Sequence, residues 1–129
     1  MKKILIATIM LLFVVTSAIP CYSADGDGNA LLDYCKTVLN MGGRTHTVKG
    51  KDAPHKIGYC RGLLRGLILS MQYYRVSSRK DALYCTPDDI TSEQAVRVVV
   101  KYLEEHPEEL HETDAILATK AFMQAFPCK

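Results

Sequence analysis

Five cysteines, four histidines and one run of acids are the residues of this chain whose types could do chemistry, and their spacing decides which chemistry is open to them. Cys21, Cys35, Cys60, Cys85 and Cys128 contain no C-x-x-C pair, so neither dithiol exchange nor a zinc knuckle is encoded. His46, His55, His106 and His111 show no H-E-x-x-H or other metal-ligand spacing, which reads as no metal site. A G-x-S-x-G elbow, a P-loop and a pair of carboxylates on a predicted rigid cleft are all missing, so no nucleophile or base stands out. The reading is a non-enzyme without a cofactor. What remains is covalent cross-linking by the cysteines and electrostatic recognition by the acids between Glu104 and Asp114.

Cross-linking requires an oxidising compartment, and the N-terminus predicts one. Lys2 and Lys3 precede the apolar run from Ile4 to Val15, and Cys21 and Ser23 stand at the small-residue positions of a cleavage site before Ala24. Residues 1–23 therefore read as a secretory signal peptide and residues 24–129 as one exported domain. The apolar run is well short of the ~20 residues that span a bilayer. Pro20 before Cys21, with no Leu three residues upstream, disfavours lipidation there. Lys2 and Lys3 are two of the 16 cations, set against 14 acids, so the mature chain is formally neutral and offers nucleic acid or an anionic membrane no excess positive charge. Its four remaining cysteines are an even set for two disulfides, which help most where the core is small.

Apolar periodicity predicts four helices and little strand. Leu31, Leu32, Cys35, Val38 and Leu39 follow a helical period from an N-cap at Asn29 to a stop at Gly42 and Gly43. Residues 42–56 read as a basic, solvated loop, and a second helix opens near Pro54 with Cys60, Leu63, Leu64, Leu67, Met71 and Tyr74 on its inner face, ending in a polar turn around Ser77 to Arg79. Thr91 and Gln94 form a capping box for a third helix that buries Val96, Val99, Val100 and Leu103. Pro107 ends it, and a fourth helix from about Thr113 buries Ile116, Leu117, Ala121, Phe122, Ala125 and Phe126. The expected fold is all-α, a small four- to five-helix bundle stapled by disulfides.

Helix rise ranks the three possible cysteine pairings. Cys35 lies about six residues before the end of the first helix and Cys60 about six after the start of the second, so each stands roughly 9 Å from the connecting loop and antiparallel packing levels them. The hairpin of the third and fourth helices likewise returns Cys128 to Cys85. The rival Cys60–Cys85 needs a nearly extended linker running back along about 20 Å of helix. Cys35–Cys60 with Cys85–Cys128 is the favoured set.

Two surface patterns carry functional alternatives. Gly58, Gly62, Gly66 and Ser70 make a stripe of small residues at i+4 spacing; Gly costs about 1 kcal/mol against Ala inside a helix, so another backbone is expected there, either a helix of the same chain or a subunit or partner. Glu104, Glu105, His106, Glu108, Glu109, His111 and Glu112, with Asp114, surround the turn between the last two helices. That turn is either a solvated connection, with acids near a helix N-terminus, or an anionic element that enters a partner's cleft.

The order of Leu31-Leu32 with Cys35, Gly58-Tyr59-Cys60-Arg61-Gly62, Cys85-Thr86-Pro87, Val99-Val100-Lys101-Tyr102-Leu103 with His106-Pro107, and the closing Phe126-Pro127-Cys128 resembles the Rap/Tai family of type VI secretion immunity proteins. The resemblance covers nearly all of the mature chain. It implies a periplasmic, all-helical protein, often a homodimer, that binds a peptidoglycan amidase toxin and blocks its cysteine-histidine site sterically. Carried onto this chain, the inserted element is the turn from Glu104 to Glu112. The competing class is an HdeA-like periplasmic stress chaperone, which needs an apolar surface released by protonation.

Overall fold

Four helices organise the residues that the computed structural model describes, 26–41, 50–78 and 82–128. They are α1 (Gly28–Asn40), α2 (Ala53–Ser78), α3 (Ser92–Glu105) and α4 (Asp114–Ala125), with a 3-10 turn, Pro107–Glu109, between the last two. The signal segment, the glycine stop at 42–43, the greater part of the basic loop and Arg79 lie outside the described residues.

α1 begins two residues earlier than its sequence predicts. Asp27, not Asn29, is the N-cap: its extended backbone lets the carboxylate accept the Ala30 N–H at 2.9 Å, and that bond holds its pKa below the usual carboxylate value. Asn29 instead donates to the Leu110 carbonyl at 3.2 Å. Leu31, Cys35 and Val38 point inward. α2 opens after Gly50, whose φ of 123° is a left-handed conformation that suits glycine. It continues through Ser77 and Ser78, where a turn was expected, so its length is 26 residues.

The core gathers Leu31 and Cys35 of α1, Cys60, Leu64 and Ile68 of α2, Val96, Val99 and Leu103 of α3, and Leu117, Ala121 and Phe122 of α4. Three of the expected inner residues are not there. Tyr74 is 42% exposed, and Ile116 is 51% exposed because the inner stripe of α4 runs through Leu117, Ala118, Ala121 and Phe122, about 100° round the helix from it. Ala125, also expected inside, is exposed. In their place Ile68 and Tyr84 enter the core. Tyr84 packs against Phe122 with ring centroids 5.3 Å apart and donates its hydroxyl to the Leu67 carbonyl at 2.9 Å. Burial pushes its pKa up to about 12, so the phenol stays protonated.

Cys35 and Cys60, both fully buried, are joined and fix α1 against α2; Cys85 and Cys128 are joined and close the α3–α4 hairpin at its open end. There the Cys85 N–H also donates to the Phe126 carbonyl at 2.8 Å. In the chain-entropy account, bonds closing separations of 25 and 43 residues contribute on the order of 3.5 and 4 kcal/mol.

The opposite end of that hairpin is tied to the start of α1. Gly28 donates to the Glu112 carbonyl at 3.1 Å and Asp114 donates to the Gly26 carbonyl at 2.9 Å, forming an isolated antiparallel bridge between Asp27 and Thr113. Gly28 is needed for this approach: a Cβ there would overlap Leu117 Cδ1 and stand 2.9 Å from Leu110 Cα and 3.0 Å from its carbonyl oxygen. Gly28→Ala should therefore cost about 1–3 kcal/mol in urea unfolding, because backbone and not only a rotamer must move. A loss below about 0.5 kcal/mol, the range of an ordinary surface change, would refute this account of the junction.

Candidate partner-binding turn

The α3–α4 connection is built from residues that end one helix and start another. His106 caps α3, its N–H donating to the Tyr102 carbonyl at 3.1 Å, and Pro107 restarts the chain as a 3-10 turn because it has no N–H to continue the helix. The His106 ring stacks on Tyr102 with centroids 4.2 Å apart, and its Nδ1 lies 2.8 Å from the Tyr102 carbonyl. His111 Nδ1 lies 3.0 Å from the Glu108 carbonyl. A carbonyl only accepts, so Nδ1 carries the proton in both rings.

The acids that sequence groups together divide by orientation. Glu109 turns inward, accepting the Tyr102 hydroxyl at 2.7 Å and Lys120 Nζ at 3.3 Å. Both oxygens of Glu112 accept from Lys120 Nζ, at 2.9 and 2.8 Å. Glu104 pairs with Lys36 of α1 at 2.8 Å, and Glu105 with Lys101 at 3.8 Å, in exposed pairs of small energetic weight. Glu108 is exposed and, among the described residues, has no ion-pair partner. Asp114 does not belong to the surface at all. It is 3% exposed, and its oxygens accept from the Tyr59 hydroxyl and from the Ala115 N–H, the latter at 2.6 Å, so it anchors α4 to α2.

Protonation states follow these partners. The Tyr102 phenol, then Lys120, hold the Glu109 carboxyl below its ordinary value. Glu112's hydrogen bond, then Glu109's, raises Lys120. Burial first and Glu109 second push Tyr102 up to about 12. Beside the turn an open cleft of about 250 Å³ runs between Lys101, Tyr102, Glu105, Ala121 and Gln124. Among the described residues no group of three His, Cys, Asp or Glu is placed to hold a metal, and every described cysteine is in a disulfide.

The glycine stripe faces outward, which corrects the expectation of a neighbouring helix of the same chain. Among the described residues a Cβ on Gly58, Gly62 or Gly66 would meet nothing within 4 Å, because α2 packs through Cys60, Leu64 and Ile68 on its other side. The outer face continues into Leu69, Tyr73 and Val76, which are 45%, 75% and 81% exposed, and α2 contains no acid over its whole length. Lys56, assigned by sequence to the basic loop, is instead in α2 and pairs with Asp33 at 2.6 Å. Nothing in residue type alone marks Lys120 or Tyr102 as part of the turn; Lys120 is remote from the acids in sequence, and only the hairpin brings it back.

The described residues form a disulfide-stapled all-helical domain with a braced anionic turn and an acid-free outer helix. The chain matches the family model of the Rap1a immunity proteins over residues 27–128 and belongs to that family. Membership implies that it binds a cognate toxin protein, as an immunity protein against a type VI effector; such proteins are periplasmic and in general not enzymes. Among the described residues no helix is long and apolar enough to cross a membrane. No curated protein and no solved structure matches the chain.

The lowered Glu109 value gives a pH dependence of known sign. A carboxyl held low in the folded state adds stability that is full above its unfolded value and is lost as pH falls through the folded one. Glu109→Gln should thus be less stable than the native chain at pH 7 and converge with it once the pH is below the carboxylate range, as read from denaturant midpoints. Curves that stay parallel down to pH 2 would show that Glu109's charge does not brace the turn.

Proposed function

We propose that the chain, freed of residues 1–23 on export, protects the periplasm by binding a peptidoglycan amidase delivered by type VI secretion and seating the 104–112 turn in its active-site cleft. Glu104, Glu105, His106, Glu108, Glu109, His111 and Glu112 form the contact element, supported by α3. The observation that carries this reading is a charged turn whose Glu109 and Glu112 are hydrogen-bonded to side chains of α3 and α4, while Glu108 has no ion-pair partner among the described residues. Rigidity lowers the ordering cost of binding. Inhibition is steric, so no residue of the chain has to react.

The test is titration calorimetry against a purified small Cys-His amidase encoded beside this gene. Nanomolar binding is expected, weakening as salt rises and weakening at least about tenfold for Glu108→Lys. Absence of binding, together with client protection near pH 2 to 3, would replace this reading with the acid chaperone. Two disulfides, one joining α1 to α2 in the core and one closing the α3–α4 hairpin, argue against the large opening that a chaperone needs.

Self-association belongs to the same proposal. The outer face of α2 supports it, since glycines in a helix interior are unfavourable unless a second backbone uses the space, and Leu69, Tyr73 and Val76 extend the uncovered surface. Sedimentation should find a dimer at micromolar concentration that Gly62→Leu converts to a folded monomer. A native chain that sediments as a monomer at 200 µM, a concentration chosen well above about 1 µM affinities, would remove this part.

A further inference from the structure

We infer that Lys120 is a positioning residue for the partner-binding turn: by drawing Glu109 and Glu112 onto α4, it leaves Glu108 as the turn's carboxylate with no ion-pair partner among the described residues. This rests on the reading that the turn binds a partner. The ammonium has three N–H donors, and three carboxylate oxygens surround it, two from Glu112 at 2.9 and 2.8 Å and one from Glu109 at 3.3 Å. The Glu109 oxygen that it reaches also takes the Tyr102 hydroxyl at 2.7 Å.

One cation of α4 and one phenol of α3 therefore pin the turn from both helices. The shielding is greater than at the neighbouring pairs: Lys120, Glu109 and Glu112 have side chains 35%, 27% and 31% exposed, against 46% and 51% for Lys36 and Glu104. Without Lys120, the carboxylates of Glu108, Glu109 and Glu112 repel within one short loop, and Glu109 and Glu112 are no longer held to α4. The partner would then face a mobile anionic loop in place of a turn whose carboxylates are held in fixed positions.

The experiment separates positioning from contact. Lys120→Met keeps the aliphatic stem and should keep the circular dichroism spectrum and both disulfides. Amide hydrogen exchange in residues 106–113 of the free protein should rise about tenfold while α1 and α2 stay protected. Affinity for the neighbouring Cys-His amidase should fall at least about tenfold, and Lys120→Arg should restore both readouts. Glu108→Gln should lower affinity with native exchange. Native exchange in Lys120→Met overturns the proposal whether or not an amidase binds, as does raised exchange with native affinity. If the native chain binds no amidase while exchange rises as stated, the partner reading fails and takes the presentation of Glu108 with it.

Discussion

The bond between Cys35 and Cys60 is the constraint on which the rest of the structure hangs. About a hundred residues bury only a modest core, and the entropy of ordering them is nearly as large as the gain from burial. A covalent link at the centre of that core removes open conformations from the unfolded ensemble and sets the spacing of α1 and α2. α3 then packs across both helices, and α4 closes over α3. Cys85–Cys128 holds the far end of this last hairpin. The bridge of Gly26 and Gly28 to Glu112 and Asp114 holds its near end, so the connecting turn is clamped on its chain-terminal side.

Charge is arranged with the same economy of position. The acids of the turn and the acid-free α2 sit on different elements, and the inward acids are each matched to a donor that the fold brings to them. Asp114 is the extreme case, a carboxylate taken out of water and compensated by a phenol and a backbone N–H in place of a cation. Burying a carboxylate unpaired would be severely unfavourable, so Tyr59 and the first turn of α4 are conditions of the fold and not accessories to it.

Much of this could be read from residue order. Thr91 and Gln94 announced α3 because a capping box is a local event between side chains three residues apart. The cysteine pairs could be ranked because rise per residue converts position on a helix into height. Tyr84 could not be read as core, since it lies in an irregular segment without a period, and its burial depends on Phe122 and the Leu67 carbonyl arriving from distant sequence. Ile116 misled for the converse reason: its period fits an apolar stripe, but the stripe that faces inward is decided by where α3 lies. The turn was legible as acidic and illegible as braced, because Lys120 reaches it only after α4 has folded back.

That difference matters for how such a turn recognises anything. A flexible loop with many carboxylates attracts any cationic surface and must be ordered each time it binds, which lowers affinity without adding selectivity. A turn whose charges are already matched internally offers few attractive contacts to a wrong partner. Specificity then comes from shape and from the one or two charges left outward, and a mispaired partner leaves Glu108 facing no cation. If the turn is the docking element proposed above, the same internal matching that stabilises the α3–α4 connection restricts what can dock on it, so stability and selectivity would arise from one set of hydrogen bonds.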